Sequence, residues 1–287
     1  MQALRAAGIL FVFLLVTFLL IPWQESALFF GLRRRKTFPH RYHRFLCRLF
    51  GIRVTIVGEP IRSRGVLMVA NHTSYFDILV FSAAARVSFI AKREVAGWPL
   101  AGTLARLQET VFVERAKRSQ TIAARDVIRQ RLIDGDALIL FPEGTSDDGN
   151  RVLPFKSALL GAAETEIGPD DNGHPRHVPV QPVTISYVGL YGLPMGRDMR
   201  PLIAWYGDMD LVPHLWEALK EGPFEAVVEF HPPLTIDSVG GRKALAVVAE
   251  TIVRRGQARA LAGLPPVAQA AIASNEIVGE TALEAAA

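Results

Sequence analysis

Val66-Leu67-Met68-Val69-Ala70 runs straight into Asn71-His72-Thr73-Ser74-Tyr75-Phe76-Asp77. The apolar run reads as a buried strand and the polar residues as a turn, with a helix expected from Ser74 to Ala84. Within the turn, His72 and Asp77 stand at the spacing of a general base and its orienter. Neutral imidazole takes a proton near neutral pH, and a carboxylate on its other nitrogen fixes the tautomer and stabilises the imidazolium. On one ideal helix five residues would set the two side chains about 140° apart, so His72 must sit in the turn with Asp77 reaching back. The same residues also fit a capping box, Ser74 capping and Asp77 answering.

Asp136-Ala137-Leu138-Ile139-Leu140-Phe141 is a second buried-strand pattern, ending in Pro142-Glu143-Gly144-Thr145. Pro stops the ladder, Gly lets the backbone approach a ligand, and Glu143 is left at the carboxyl end of a strand, where open α/β folds place ligands. An ordinary strand-ending turn is the plain alternative. Between the two motifs, Lys92 follows the strand-like Val87 to Ala91 and Arg115 follows Thr110 to Glu114. Each is by default a solvated charge, yet together they suggest a polar rim along the strand ends.

These residues resemble the glycerolipid acyltransferase family through four ordered blocks over about residues 50 to 235. The blocks are His72 to Asp77 with Asn71 before it, Val111 to Arg115, Phe141 to Thr145, and Val178-Pro179-Val180-Gln181-Pro182-Val183. The resemblance implies that His72 deprotonates the acceptor hydroxyl and Asp77 orients it. It also implies acceptor binding by Lys92, Arg115, Glu143, Gly144 and Thr145, with Asn71, Arg151 and Pro179 as further substrate-binding candidates. A thioester donor needs no enzyme nucleophile when an activated alcohol attacks directly, so acyl carrier protein or coenzyme A thioester is expected as co-substrate, with no cofactor and no metal.

Where glycerol-3-phosphate members commonly carry an Arg after the third block, this chain reads Ser146-Asp147-Asp148-Gly149-Asn150-Arg151. Two carboxylates there would repel an anionic headgroup and tolerate an amine. The stretches Trp98 through Gln108, Gly149 to Arg151, and Trp205 through Leu215 are similar to the lyso-ornithine lipid acyltransferase branch, which implies lyso-ornithine lipid as acceptor, with lysophosphatidic acid next. A non-catalytic lipid-binding protein and a membrane-anchored hydrolase are the rival classes; the latter lacks a Gly-x-Ser-x-Gly elbow.

With 287 residues, half of them hydrophobic, the chain can bury one substantial core. Alternating strands and helices argue for an α/β fold with a mostly parallel sheet flanked by helices. The divisions expected are a membrane anchor over 1–32, a basic amphipathic juxtamembrane helix over 33–50, the acyltransferase domain over 51–264 and a flexible tail over 265–287. Ala6 to Gln24 carries no charge, which suits a retained anchor, spanning or shallow. Residues 33 to 64 hold ten Lys or Arg against one acid, Glu59. Beside an apolar segment this reads as charge drawn to anionic lipids at the cytoplasmic face of a bacterial inner membrane. Nucleic acid is disfavoured because the excess is confined to that flank and no recognition motif accompanies it. Oligomeric state leaves no mark on the sequence.

Cys47 is the sole cysteine, so intrachain disulfides are excluded, and packing suits it better than catalysis. His40 and His43 have no ligand set around them for a metal. Further strands are expected near Val178 to Tyr187, Leu202 to Tyr206 and Glu225 to Phe230, with a loop over Ile167 to His177.

Overall fold

The computed structural model describes residues 1–62, 64–114, 118–169 and 175–265. Two helices, α1 (Gln2–Phe29) and α2 (Arg34–Phe50), precede the edge strand β1 (Ile52–Val57). Strands and helices then alternate as β2 (Val66–Ala70), α3 (Phe76–Ala84), β3 (Ser88–Lys92), α4 (Ala101–Leu107), β4 (Val111–Val113), α5 (Arg118–Ile133) and β5 (Ala137–Leu140). The short pair β6 (Glu166–Pro169) and β7 (Pro175–His177) leads to the long β8 (Val180–Leu190) and its hairpin partner β9 (Leu193–Pro194). The chain closes with α6 (Leu211–Glu221), β10 (Phe224–Phe230), α7 (Ile236–Val239) and α8 (Arg242–Leu261).

The main sheet runs β1-β10-β8-β2-β5-β3-β4, with every neighbour pair on this path parallel except β10 with β8. β2 lies at its centre, and all five of its residues are buried, which is why its sequence shows no alternation. Val66, Met68 and Ala70 face a core made with α1, α2, α3 and α6; Leu67 and Val69 face a second core beneath α5 and α8. Burying each large aliphatic side chain of such a run contributes about 1.5–3 kcal/mol. Because β2, β5, β3 and β4 are mutually parallel, their carboxyl ends share one rim, and that rim carries His72, Glu143 and Lys92.

α2 is amphipathic and packs its apolar face into the core. Its basic residues Arg41, Arg44 and Arg48 are exposed, but Leu46, Cys47 and Phe50 are buried. His43 is buried too, its Nδ1 2.9 Å from Ser82 Oγ, and burial lowers its pKa to about 4. Cys47 packs as expected, with its thiol pushed up to about 12 by burial. α2 ends at Gly51, whose φ of 75° is left-handed and whose missing Cβ would stand 3.0 Å from Pro223 Cβ.

The strand expected over 202–206 is instead a 3₁₀ turn, Arg197–Leu202, followed by irregular chain. That chain bonds to the turn after β2, Trp205 N–H donating to Thr73 O at 2.9 Å, so its apolar residues are buried by a loop contact and not by a ladder. The stretch 167–177, expected as a loop, contributes β6 and β7 on either side of residues outside the description. Residues 266–287, read as a tail, lie outside the described residues.

α1 lies lengthwise on the domain. Ala6, Thr17, Gln24 and Ala27 form its buried stripe, and side chains near both ends bond to the domain. Arg5 Nη2 donates to Leu219 O at 2.8 Å and to Gly222 O; Gln24 Nε2 donates to Leu107 O and Arg35 O, each at 2.9 Å. Midway, Thr17 Oγ1 is 2.6 Å from the Tyr42 hydroxyl. The opposite stripe, Leu4, Phe11, Leu15, Phe18, Leu19 and Trp23, is exposed and apolar. α1 is long and apolar enough to cross a bilayer, and its exposed apolar stripe suits membrane association.

Deleting residues 1–32 is expected to release most of the protein from liposomes in a flotation assay, leaving residual binding through the basic flank that falls as salt is raised. Undiminished, salt-resistant binding of the truncated chain would place the main anchor elsewhere.

Candidate active site

The turn between β2 and α3 is built around one carboxylate. Asp77 is fully buried, and its Oδ2 accepts the backbone N–H of Thr73 at 2.7 Å and of Ser74 at 3.1 Å while lying 2.8 Å from His72 Nδ1. Its Oδ1 accepts from the Tyr187 hydroxyl at 2.7 Å. Asp77 thus holds the imidazole and closes the turn at once; of the expected capping box only the Asp77 half forms, since among the described residues Ser74 Oγ is buried without a partner and no side chain caps α3 from its N-cap residue Tyr75. With Nδ1–H given to Asp77, the lone pair falls on His72 Nε2. Phe141 stacks on the imidazole at 4.1 Å between ring centroids, with 17° between planes, so the ring is fixed in plane as well as in tautomer.

Asn71 extends the ladder past the end of β2. Its Nδ2 donates to Ile185 O and its Oδ1 accepts from Ile185 N, both at 2.9 Å. The carboxamide is therefore spent on β8. Two further contacts fix the turn from outside, Asp147 N–H to His72 O at 3.2 Å and Trp205 N–H to Thr73 O at 2.9 Å.

Glu143 arrives by strand register: Val69 pairs with Leu140, so His72 and Glu143 fall level three residues beyond the ladder. Glu143 is buried, and its Oε1 accepts the His72 N–H at 3.2 Å. Burial, with Asp77 and Asp147 adding to it, raises its pKa from 4.5 to about 9 despite bonds from the His72 and Leu153 backbones. The carboxyl is therefore neutral at pH 7 and supports the His72 turn through its backbone N–H. Gly144 makes the following turn at φ 74°, its N–H bonding to Phe141 O at 3.1 Å, and Thr145 is exposed at the rim.

Lys92 is exposed at the end of β3, beside Val113 of β4 and on the His72 rim. Arg115 lies outside the described residues. Pro179 is not brought to the site: it is buried just before β8, its carbonyl accepting from Leu67 N at 3.0 Å, at the other end of β2 from His72.

The acidic pair after Thr145 is not a bare negative wall. Arg151 Nε donates to Asp147 Oδ2 at 2.6 Å, while Asp148 accepts from Asn150 N at 2.9 Å and Asn150 Nδ2 at 3.1 Å. The Asp148 carboxyl is held below its ordinary range, chiefly by those Asn150 bonds against burial, with Arg151 and Arg197 helping. Both signs of charge thus meet beside the site.

Sequence reasoning missed Tyr187, 110 residues from Asp77, for which no local signal exists. It also missed the aromatic wall formed by Trp98 with Trp205, ring centroids 5.7 Å apart, and by Tyr75 with Trp205 at 6.0 Å. His214 joins that wall, its Nδ1 2.9 Å from the Tyr75 hydroxyl. Among the described residues no group of His, Cys, Asp and Glu is arranged to hold a metal.

The sequence model of the Acyltransferase family matches residues 53–186, which include all of these residues except Tyr187, Arg197, Trp205 and His214. The chain belongs to that family. It is 47% identical over 246 residues to a lyso-ornithine lipid O-acyltransferase of Brucella abortus, covering 85% of this chain and 90% of that one. The corresponding protein of Rhizobium meliloti is 45% identical over 229 residues, covering 80% of this chain and 77% of that one. A 1-acyl-sn-glycerol-3-phosphate acyltransferase of Neisseria gonorrhoeae is 38% identical over 176 residues, 61% of this chain and 63% of that one. Among solved structures, the crystal structure of the 1-acyl-sn-glycerophosphate acyltransferase PlsC from Thermotoga maritima superposes with a TM-score of 0.62 at 23% identity, over 90% of this chain and 97% of that one. That likeness bears on the fold.

Two variants separate the roles of Glu143. Glu143→Gln keeps a neutral acceptor for the His72 N–H and should retain most activity, whereas Glu143→Ala leaves that N–H unpaired and should lower it by about tenfold or more. The folded protein holds the Glu143 proton up to about pH 9, and the unfolded chain releases it near 4.5. This group therefore costs stability increasingly as pH rises from 4.5 toward 9, and thermal melts of Glu143→Gln should decline less over that window. Equal pH dependence in the two proteins would contradict a protonated Glu143.

Proposed function

We propose that His72 is the general base and Asp77 its orienter in transfer of a fatty acyl group from a thioester, carried by acyl carrier protein or coenzyme A, to a lysolipid hydroxyl. His72 Nε2 takes the hydroxyl proton as the oxygen attacks the thioester carbonyl. The tetrahedral intermediate collapses, the C–S bond breaks, and the leaving thiolate recovers the proton from the imidazolium. The observation that carries this reading is the 2.8 Å contact between His72 Nδ1 and the buried Asp77, because a carboxylate on Nδ1 sets the tautomer that leaves Nε2 as the basic nitrogen. Glu143 positions the His72 backbone. Gly144, Thr145, Lys92 and Arg115 are assigned to the acceptor.

The acceptor we favour is lyso-ornithine lipid, esterified on its 3-hydroxyacyl hydroxyl. Two kinds of observation support it: the names borne by the relatives at 47% and 45% identity, and the mixed charge of the loop after Thr145. A headgroup with an ammonium and a carboxylate can meet Asp148 and the arginines together, whereas the phosphate of lysophosphatidic acid has use for the arginines alone. The exposed apolar stripe of α1 and the basic flank of α2 support work at the cytoplasmic face of the inner membrane.

Initial rates with labelled donor on lyso-ornithine lipid, lysophosphatidic acid and other lysophospholipids test the assignment. Lyso-ornithine lipid should be the fastest acceptor; equal rates on all would defeat any headgroup preference, and lipid binding without transfer would defeat the enzyme. His72→Ala should lose transfer by about 10²- to 10⁴-fold, and Asp77→Asn should also impair it. Near-normal turnover by folded His72→Ala would sink the mechanism. Asp147→Ser frees Arg151 and should shift the rate ratio toward lysophosphatidic acid by about two- to fivefold, the size of one exposed ion pair.

A further inference from the structure

A large cavity lies away from His72. It is a groove of about 880 Å³ between α2, the edge strand β1, the end of α3 and the loops that precede β2 and β5, at the rim of the sheet opposite the active site. Eight Lys or Arg line it against two acids, Glu109 and Asp136. Both acids are taken: Arg35 lies 3.3 Å from Glu109, and Lys36 and Arg131 lie 2.6 and 2.8 Å from Asp136.

Arg44, Arg48, Arg62, Arg64 and Arg86 remain, all exposed and without an acidic partner among the described residues. They come from α2, from the loop before β2 and from the turn after α3, so the fold gathers them from three places in the chain. Like charges brought together around a concavity repel one another unless a counter-charge enters. The floor is different in kind: Ile52, Val54 and Ile56 of β1, Met68 of β2 and Cys47 of α2. A cationic rim over an apolar floor suits a molecule with an anionic head and a hydrocarbon tail, and Arg forks match phosphate oxygens. Free phosphate would leave the floor unused.

The position of the groove indicates where such a molecule comes from. One flank of α2 is covered by α1, through Tyr42 against Thr17 and Phe50 against Phe13, while the other flank supplies Arg44, Cys47 and Arg48 to the groove. Groove and membrane-facing helix therefore lie side by side in one layer on the same face of the sheet, and Phe45 of α2 is exposed beside them. We propose that this groove holds an anionic glycerophospholipid of the surrounding membrane, its phosphate on the rim arginines and a chain along β1, as a site distinct from the catalytic rim. The choice of acyl acceptor does not enter this inference.

The test uses the full chain in neutral-detergent micelles, with dioleoylphosphatidylglycerol as probe and dioleoylphosphatidylcholine as control. Phosphatidylglycerol should raise the thermal midpoint in a saturable manner, because it binds the folded state, and phosphatidylcholine should not. In Arg62→Gln/Arg64→Gln/Arg86→Gln the phosphatidylglycerol affinity should fall about tenfold or more, with the midpoint in neutral micelles kept near that of the parent. Should the triple variant fold poorly, Arg86→Glu alone should weaken the same response. An undiminished response in the variants overturns the proposal. So does an equal shift with inorganic phosphate, which would mean a free-anion site, and so does a midpoint raised by acidic acyl carrier protein but not by phosphatidylglycerol, which would mean a protein dock.

Discussion

A buried carboxylate in this protein is stable only because four donors converge on it, and the geometry of the active site is the geometry of that convergence. Asp77 receives two backbone N–H groups, the His72 imidazole and the Tyr187 hydroxyl. Charge-assisted bonds of this kind are stronger than neutral ones, and losing one would leave part of a buried charge uncompensated. The backbone donors force the chain to leave β2 as a turn, and the imidazole donor sets the tautomer. Tyr187, whose own pKa is driven well up by burial and by the neighbouring Asp77, stays a donor throughout and ties the turn to β8.

The sheet delivers these groups together. Parallel register sets Glu143 level with His72, and β8 runs on past the end of β2, held there by Asn71, so that Tyr187 reaches Asp77 from above. The two carboxyl groups beneath one histidine divide the work. Asp77 is met by four donors, whereas Glu143 has its charge removed by burial and keeps a neutral oxygen under the His72 N–H. α1 follows the same logic at larger scale, since Arg5, Thr17 and Gln24 are turned to the domain and its apolar stripe outward.

Local signals carried much of this into the sequence. The unbroken runs Val66 to Ala70 and Ala137 to Leu140 mark the central parallel strands, and helical geometry alone requires His72 to lie off the helix that bears Asp77. What the sequence did not reveal depends on long-range partners. Tyr187 is an ordinary strand residue until β8 is set beside β2. Trp205 reads as part of a strand until its N–H is seen to serve Thr73. Pro179 stands in a matching block, yet parallel pairing of β8 with β2 carries it to the opposite rim. The acids Asp147 and Asp148 read as unopposed until Arg151 and Asn150 fold back on them. Pairing partners of charges, unlike strand periodicity, are not written in local spacing.

The central claim is that Asp77 fixes His72 with its proton on Nδ1 and leaves Nε2 free. Solution NMR of the protein with ¹⁵N-labelled histidine reads this directly at neutral pH. The His72 resonances should show a protonated Nδ1 with a strongly downfield, hydrogen-bonded proton and an unprotonated Nε2, and Asp77→Asn should abolish that proton signal. A His72 ring protonated on Nε2, or one averaging between tautomers in the intact protein, would contradict the account.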